Sequence, residues 1–165
     1  MKKKVIQKGA KILITPCKVV KDFKSAQQIV KDLEDTINFL KTKISFHRGI
    51  GLAAPQIGKS VCISVAENAK EERYILINPQ IIKASKLKAP IREGCISFLK
   101  YRAMVPRYKS VTVKALDKNG KEYIIKAKGD FAMLLQHEID HLQGVLMFEH
   151  LPHKEKDLFF VGSVL

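Results

Sequence analysis

The chain has 165 residues, 46% of them hydrophobic, and carries 30 lysines and arginines against 16 aspartates and glutamates, a net charge of +14 at pH 7. That composition excludes intrinsic disorder, and the length suits a single domain over residues 1–165 that needs no disulfide or metal merely to fold. No apolar run approaches the ~20 residues of a membrane helix.

The N-terminal stretch begins with a basic cluster, but Lys8 and Lys11 interrupt any signal-like apolar segment. The three cysteines, Cys17, Cys62 and Cys95, cannot all pair and show no CxxC spacing. This suits a reducing compartment, and a cytoplasmic protein is expected. Ser25-Ala-Gln-Gln28 has the form of a capping box. Ile29, Leu33, Ile37, Leu40 and Ile44 follow at three- and four-residue spacing, which predicts a helix from Ser25 with one core-facing stripe.

A Gly-rich stretch follows over residues 49–58. Gly58-Lys59-Ser60 looks like the end of a phosphate-binding loop, yet six residues rather than four separate Gly51 from Gly58. The residues that follow read as strand, so that motif is rejected. Short β-like runs occupy Ser60–Ala66 and Tyr74–Ile77. Two more, Ser110–Leu116 and Glu122–Ala127, flank Asn119-Gly120, a hairpin signal in which both positions tolerate positive φ. A second helix is predicted from Asp130, as N-cap, to Gln143, with Gly144 at C′. His153–Leu165 reads as a turn and then a β-like run. The expected class is α+β, with antiparallel β-strands packed around a late metal-binding helix and an N-terminal helix.

The late helix carries Gln136-His-Glu-Ile-Asp-His141. His137 and His141 stand one turn apart on one face, so two imidazoles can reach one metal ion, and Glu138 lies beside it as a proton acceptor. An ordinary helix with two histidines is the plain alternative. A catalytic site needs a third protein ligand and an open position. The metzincin pattern fails, because Met147 stands where its third histidine belongs. Cys95, in Arg92-Glu-Gly-Cys-Ile-Ser97, is the remaining candidate, against the common fate of a free cysteine as a small buried hydrophobe.

Charge is uneven along the chain. Between Asn78 and Leu116 stand nine basic residues (Lys83, Lys86, Lys88, Arg92, Lys100, Arg102, Arg107, Lys109, Lys114) and one acid, Glu93. The bias favours contact with phosphate polymers, with a solvated basic surface as the plain alternative.

Three segments together, Gly49-Ile-Gly-Leu-Ala-Ala-Pro-Gln56, Glu93-Gly-Cys-Ile-Ser97 and Gln136-His-Glu-Ile-Asp-His141, resemble the three motifs of the bacterial peptide deformylases, in the same order. Leu76–Pro79 and Arg102–Arg107 are also similar, and the likeness covers roughly Val5 to Phe148. The resemblance implies a metallohydrolase that removes the formyl group from the N-terminal N-formylmethionine of newly made proteins, using metal-activated water. It implies Cys95, His137 and His141 as ligands of one divalent metal, Fe²⁺ natively, with Zn²⁺, Ni²⁺ or Co²⁺ as substitutes. Glu138 would be the general base and acid, with the Gln56 side chain and the Ile96 N–H as oxyanion donors. Gly49 and Gly51 would leave room for a peptide backbone, and Ile50 would pair with it as an added strand. Ile50, Ile91, Met133 and Leu134 would line the methionine pocket.

Ile96 replaces a customary leucine, and Leu99 replaces a proline usual two residues after the second motif's serine. The partners implied are N-formylmethionyl nascent peptides, with weak ribosomal RNA contact through the basic segment and no membrane. Two rivals stand beside this reading: a related hydrolase of another acylated substrate, and a basic RNA- or ribosome-binding protein with a structural metal. Intact Glu138 and Gln56 argue against the second, since a structural site needs neither.

Overall fold

The computed structural model describes residues 1–162. An α-helix, α1 (Phe23–Lys41), precedes strands β1 (Ile50–Ala53), β2 (Ile63–Glu67), β3 (Arg73–Ala84), β4 (Lys88–Gly94), β5 (Tyr101–Tyr108), β6 (Ser110–Leu116) and β7 (Glu122–Lys128). Helix α2 (Gly129–Leu142) and a short strand, β8 (Phe159–Phe160), follow. The class is α+β, as expected. The strands form two antiparallel sheets, one ordered β1-β2-β3-β6-β7 and one ordered β4-β5-β8. The last part of the expected C-terminal β-like run, residues 163–165, lies outside the described residues; Phe159 and Phe160 pair with Arg102 and Tyr101.

Helix α1 starts two residues before the predicted point. Asp22, not Ser25, is its N-cap: the carboxylate accepts from the N–H groups of Lys24 and Ser25 at 3.0 and 3.4 Å. The Ser25 hydroxyl instead donates to the Asp22 carbonyl. The earlier start lets Phe23 pack against the core formed by Val30, Leu33, Ile37, Leu52, Ile63 and Val65. Of the predicted stripe, Leu33, Ile37 and Leu40 are buried and Ile29 half-buried, while Ile44 lies beyond the helix end.

The β6–β7 hairpin falls within a residue of its predicted bounds. Its turn differs: only Gly120 has positive φ, +82°. The Asp117 carboxylate holds the loop by accepting from the N–H groups of Asn119 and Lys121 at 2.8 and 2.9 Å. In β3 the register shifts after Ile77, where Asn78 has a φ of +49°. The Asn78 amide there brackets the Val20 backbone, accepting from its N–H at 2.8 Å and donating to its carbonyl at 3.0 Å.

Helix α2 packs on the five-stranded sheet through Ala132, Leu135 and Ile139. Its Gln136 side chain reaches the other sheet, accepting from the Tyr108 N–H at 3.0 Å and donating to the Tyr108 carbonyl at 2.9 Å. Lys128 rather than Asp130 is the N-cap; Asp130 sits in the first turn and pairs with Arg48. Gly144 follows the last turn with a φ of +72°, the left-handed C′ expected of it.

Candidate metal centre and active site

The second motif leaves β4 at Gly94, and Cys95 precedes a single 3₁₀ turn, Ile96–Phe98. This brings its thiol to the two histidines of α2. Cys95 Sγ lies 3.3 Å from His141 Nε2, which lies 3.2 Å from His137 Nε2. The three ligand atoms fall within 4.8 Å of one another, and all three residues are buried. Thiolate and two imidazoles form a soft-to-borderline set suited to a zinc- or iron-type ion. Burial opposes a charge on His137, yet the Cys95 thiol and Glu93 beside it hold its proton affinity well above the ordinary range. His141, equally buried and next to His137, is held well below it. Nδ1 of His141 is the one buried side-chain nitrogen or oxygen without a partner among the described residues. The residues present fit a single bound metal ion.

Behind the first histidine stands a chain of charges that the sequence reading missed. Glu93 Oε2 lies 2.9 Å from His137 Nδ1. Arg107 donates to Glu93 through Nε at 2.6 Å and through its second nitrogen at 3.1 Å. Its remaining nitrogen reaches Asp140 at 2.5 Å, and His150 meets the same Asp140 oxygen at 2.7 Å. Burial alone pushes the Glu93 carboxyl up, but His137 and Arg107 reverse this and hold it below the usual carboxylate range. Such a partner fixes the tautomer and orientation of a ligating imidazole. Glu93 lies inside the second motif and Arg107 ends the similar segment Arg102–Arg107; strand pairing brings the two together. It also means that one of the nine segment cations is buried rather than on the surface.

Glu138 is 1% exposed. One carboxylate oxygen lies 2.9 Å from the Ser64 hydroxyl, another partner not foreseen from sequence. The other fills the space above Gly51, where a Cβ would sit 2.2 Å from it. Burial pushes the Glu138 carboxyl up to about 7. The Gln56 amide is oriented by the Ala53 N–H, which donates to Oε1 at 2.9 Å. Nε2 therefore faces Ser97 Oγ at 3.1 Å and Cys95 Sγ at 3.6 Å. The Ile96 N–H has no acceptor among the described residues.

A cavity of about 380 Å³ opens onto these groups. Gly49, Ile50, Gly51, Gln56, Cys95, Ile96, Met133, Leu134, His137 and Glu138 all line it. Ile91 does not: it sits on β4 opposite Val105, and Ile44, Phe46 and Leu99 line the cavity in its stead. At both glycines the space of a Cβ is already occupied. The space at Gly51 is taken by Glu138, and that at Gly49 by the Glu67 carbonyl, 2.5 Å from an added Cβ. Leu99, which stands where a proline was expected, has a φ of −51°, a value proline also takes.

The polypeptide deformylase family model matches residues 2–157. The chain belongs to that family. Peptide deformylase 1 of Vibrio vulnificus strain YJ016 is 42% identical over 137 residues, which are 81% of this chain and 77% of that one. Among solved structures, a peptide deformylase from Legionella pneumophila superposes with a TM-score of 0.84 at 36% identity, covering 94% of this chain and 90% of that one. A peptide deformylase from Ehrlichia chaffeensis in complex with actinonin gives 0.84 at 32%, covering 94% and 91%. The deformylase is therefore an enzyme of protein biosynthesis. Its family's reaction is removal of the formyl group from the N-terminal formylmethionine of new proteins. No described helix is long and apolar enough to cross a membrane.

Proposed function

We propose that the chain works as one catalytic domain in which Cys95, His137 and His141 hold one divalent ion, Fe²⁺ natively, replaceable by Zn²⁺, Ni²⁺ or Co²⁺. When bound, such an ion polarises the formyl oxygen and lowers the pKa of water. The chain supplies the rest. Glu138 takes a proton from the attacking water and returns it to the departing amine; a carboxyl poised near neutrality suits both halves of that task. Gln56 Nε2 and the Ile96 N–H donate to the oxyanion as it forms, each donor typically contributing ~3 kcal/mol in the transition state.

β1 is an edge strand, so Ile50 has a free main-chain side for an extended peptide. Ile50, Met133 and Leu134 then receive the methionine side chain. The convergence of a thiol, two imidazoles and a buried carboxylate on one cavity carries this reading.

The test is hydrolysis of formyl- against acetyl-methionyl peptides by protein purified without air and analysed for metal. Formyl peptides should be cleaved and acetyl peptides spared. The iron form should lose activity in air faster than under argon, through oxidation of iron or of the thiolate, and the zinc form should not. Equal cleavage of both peptides would favour the rival hydrolase.

Lys83, Lys86, Lys88, Lys100 and Lys109 are exposed and support a weak encounter with ribosomal RNA. Co-sedimentation with ribosomes should then fall steeply between low and physiological salt. Salt-independent association, or none at low salt, would refute that contact.

A further inference from the structure

The cavity lies between two sheet edges. β1 ends the larger sheet and β4 the smaller, and the Arg48 side chain spans them by donating to the Arg92 carbonyl at 2.9 Å. Three arginines, Arg48, Arg92 and Arg102, line this mouth. Arg48 is paired with Asp130. Arg92 and Arg102 have no carboxylate partner among the described residues. Arg92 is exposed, with its guanidinium 5.6 Å from the centre of the Phe159 ring. Arg102 is half-buried. It donates to the carbonyls of Leu99 and Tyr101 at 3.0 and 2.8 Å and lies flat against Gly94, where a Cβ would come within 2.5 Å of Nε.

The two arginines share one side of the β4–β5 ladder, because Arg102 pairs with Gly94 and Arg92 stands two residues back. The acids nearby are already committed. Glu93 holds Arg107 and His137, Glu138 meets Ser64, and Glu67 and Glu71, beyond the Ile44–His47 wall, are bound to Lys41 at 2.5 and 2.7 Å. Burial and then the neighbouring Arg92 charge press the Arg102 pKa down. Two like charges thus crowd one wall of a substrate cavity without a counter-charge.

A peptide with its formyl group at Cys95, His137 and His141 must lead its remaining residues out between these edges. Arg92 lies three residues from Cys95 along β4, roughly 10 Å at strand spacing, which is the span of the first few residues of an extended peptide. We infer that Arg92 and Arg102 are specificity-determining residues that favour formylated peptides carrying a carboxylate at the second or third residue. The inference rests on the deformylase reading of this site.

The test uses the metal-loaded full chain and C-terminally amidated peptides, so that no terminal carboxylate stands in for the side chain. Formyl-Met-Asp-Ser is compared with formyl-Met-Asn-Ser, and formyl-Met-Ala-Asp with formyl-Met-Ala-Asn, with formyl-Met-Ala-Ser as reference. At low salt, kcat/KM should favour aspartate over asparagine by about fivefold at one of the two positions, the upper end for an exposed ion pair. The gain should sit in KM and shrink as salt rises.

The ratio should approach one in Arg92→Gln/Arg102→Gln and drop below one in Arg92→Glu. If the double variant does not fold, Arg92→Gln alone should cut the ratio at least by half. A ratio of one or less at both positions in the native protein, or a ratio that survives these substitutions, overturns the inference alone. Failure to hydrolyse even formyl-Met-Ala-Ser overturns the deformylase reading and the inference with it.

Discussion

Glu138→Gln is expected to keep its fold and its metal and to lose turnover by a factor of roughly 10²–10⁴, the usual contribution of a general acid–base group. The carboxylate is buried, with Ser64 on one oxygen and Gly51 beneath the other, so glutamine occupies the same volume and retains hydrogen-bonding reach. What it cannot do is accept a proton. Glu138 is not among the three clustered donor atoms, and metal content should therefore stay near that of the native protein. Cys95→Ala and His137→Gln should behave in the opposite way and lose the ion itself. Metal content measured beside turnover for each variant separates the two outcomes. A fully loaded Glu138→Gln protein with near-native turnover would remove Glu138 from the mechanism.

Arg107→Met is expected to cost roughly 3–5 kcal/mol in stability, because it leaves the buried Glu93 with His137 as its one remaining partner and takes Arg107 from Asp140 as well. Arg107 is 3% exposed and Glu93 1%. A carboxyl held below its ordinary range contributes stability above its unfolded pKa, and that contribution is lost as pH falls through the folded value. The deficit of Arg107→Met should therefore be present at neutral pH. Arg107→Lys keeps a charge but cannot reproduce the two-pronged contact with Glu93, and should fall between. Urea unfolding at equal metal loading reads the effect. Adding Glu93→Gln to Arg107→Met should recover much of the loss, since no unpaired charge then remains on that oxygen pair. A single variant within about 1 kcal/mol of the native protein would show that water or rearrangement satisfies Glu93 instead.

Those two sites differ in how far the sequence announced them. The i, i+4 histidines and the glutamate between them sit on one helix, and their geometry follows from helical pitch alone. The β6–β7 hairpin was legible for a similar reason, since β6 alternates, β7 does so apart from Tyr123-Ile124-Ile125, and the two meet at a short turn. β4 and β5 were not. Lys88–Gly94 contains a proline, an arginine, a glutamate and a glycine, and its order comes from pairing with β5, where Pro90 faces Pro106. The ion pair of Arg107 with Glu93 arises from that same pairing, so no short-range pattern could reveal it. The start of α1 shows a smaller failure of the same kind. Asp22 and Ser25 are equally good caps, and packing of Phe23 into the core decided between them. At Gly51 the sequence pointed to a close approach by a peptide, and did not show that Glu138 takes the side a Cβ would occupy.

The donor atoms come from different bodies of chain. Cys95 leaves the end of the three-stranded sheet, while His137 and His141 ride a helix laid on the five-stranded one. An ion held by all three would therefore add one more link between the sheets, beside the Gln136–Tyr108 bonds and the ion pairs of Arg107 and Glu93 with α2. It is bound tightly only when the sheets are docked, and its binding free energy counts toward docking by mass action. Removing the ion with a chelator should therefore lower the stability of the docked sheets as well as abolish turnover.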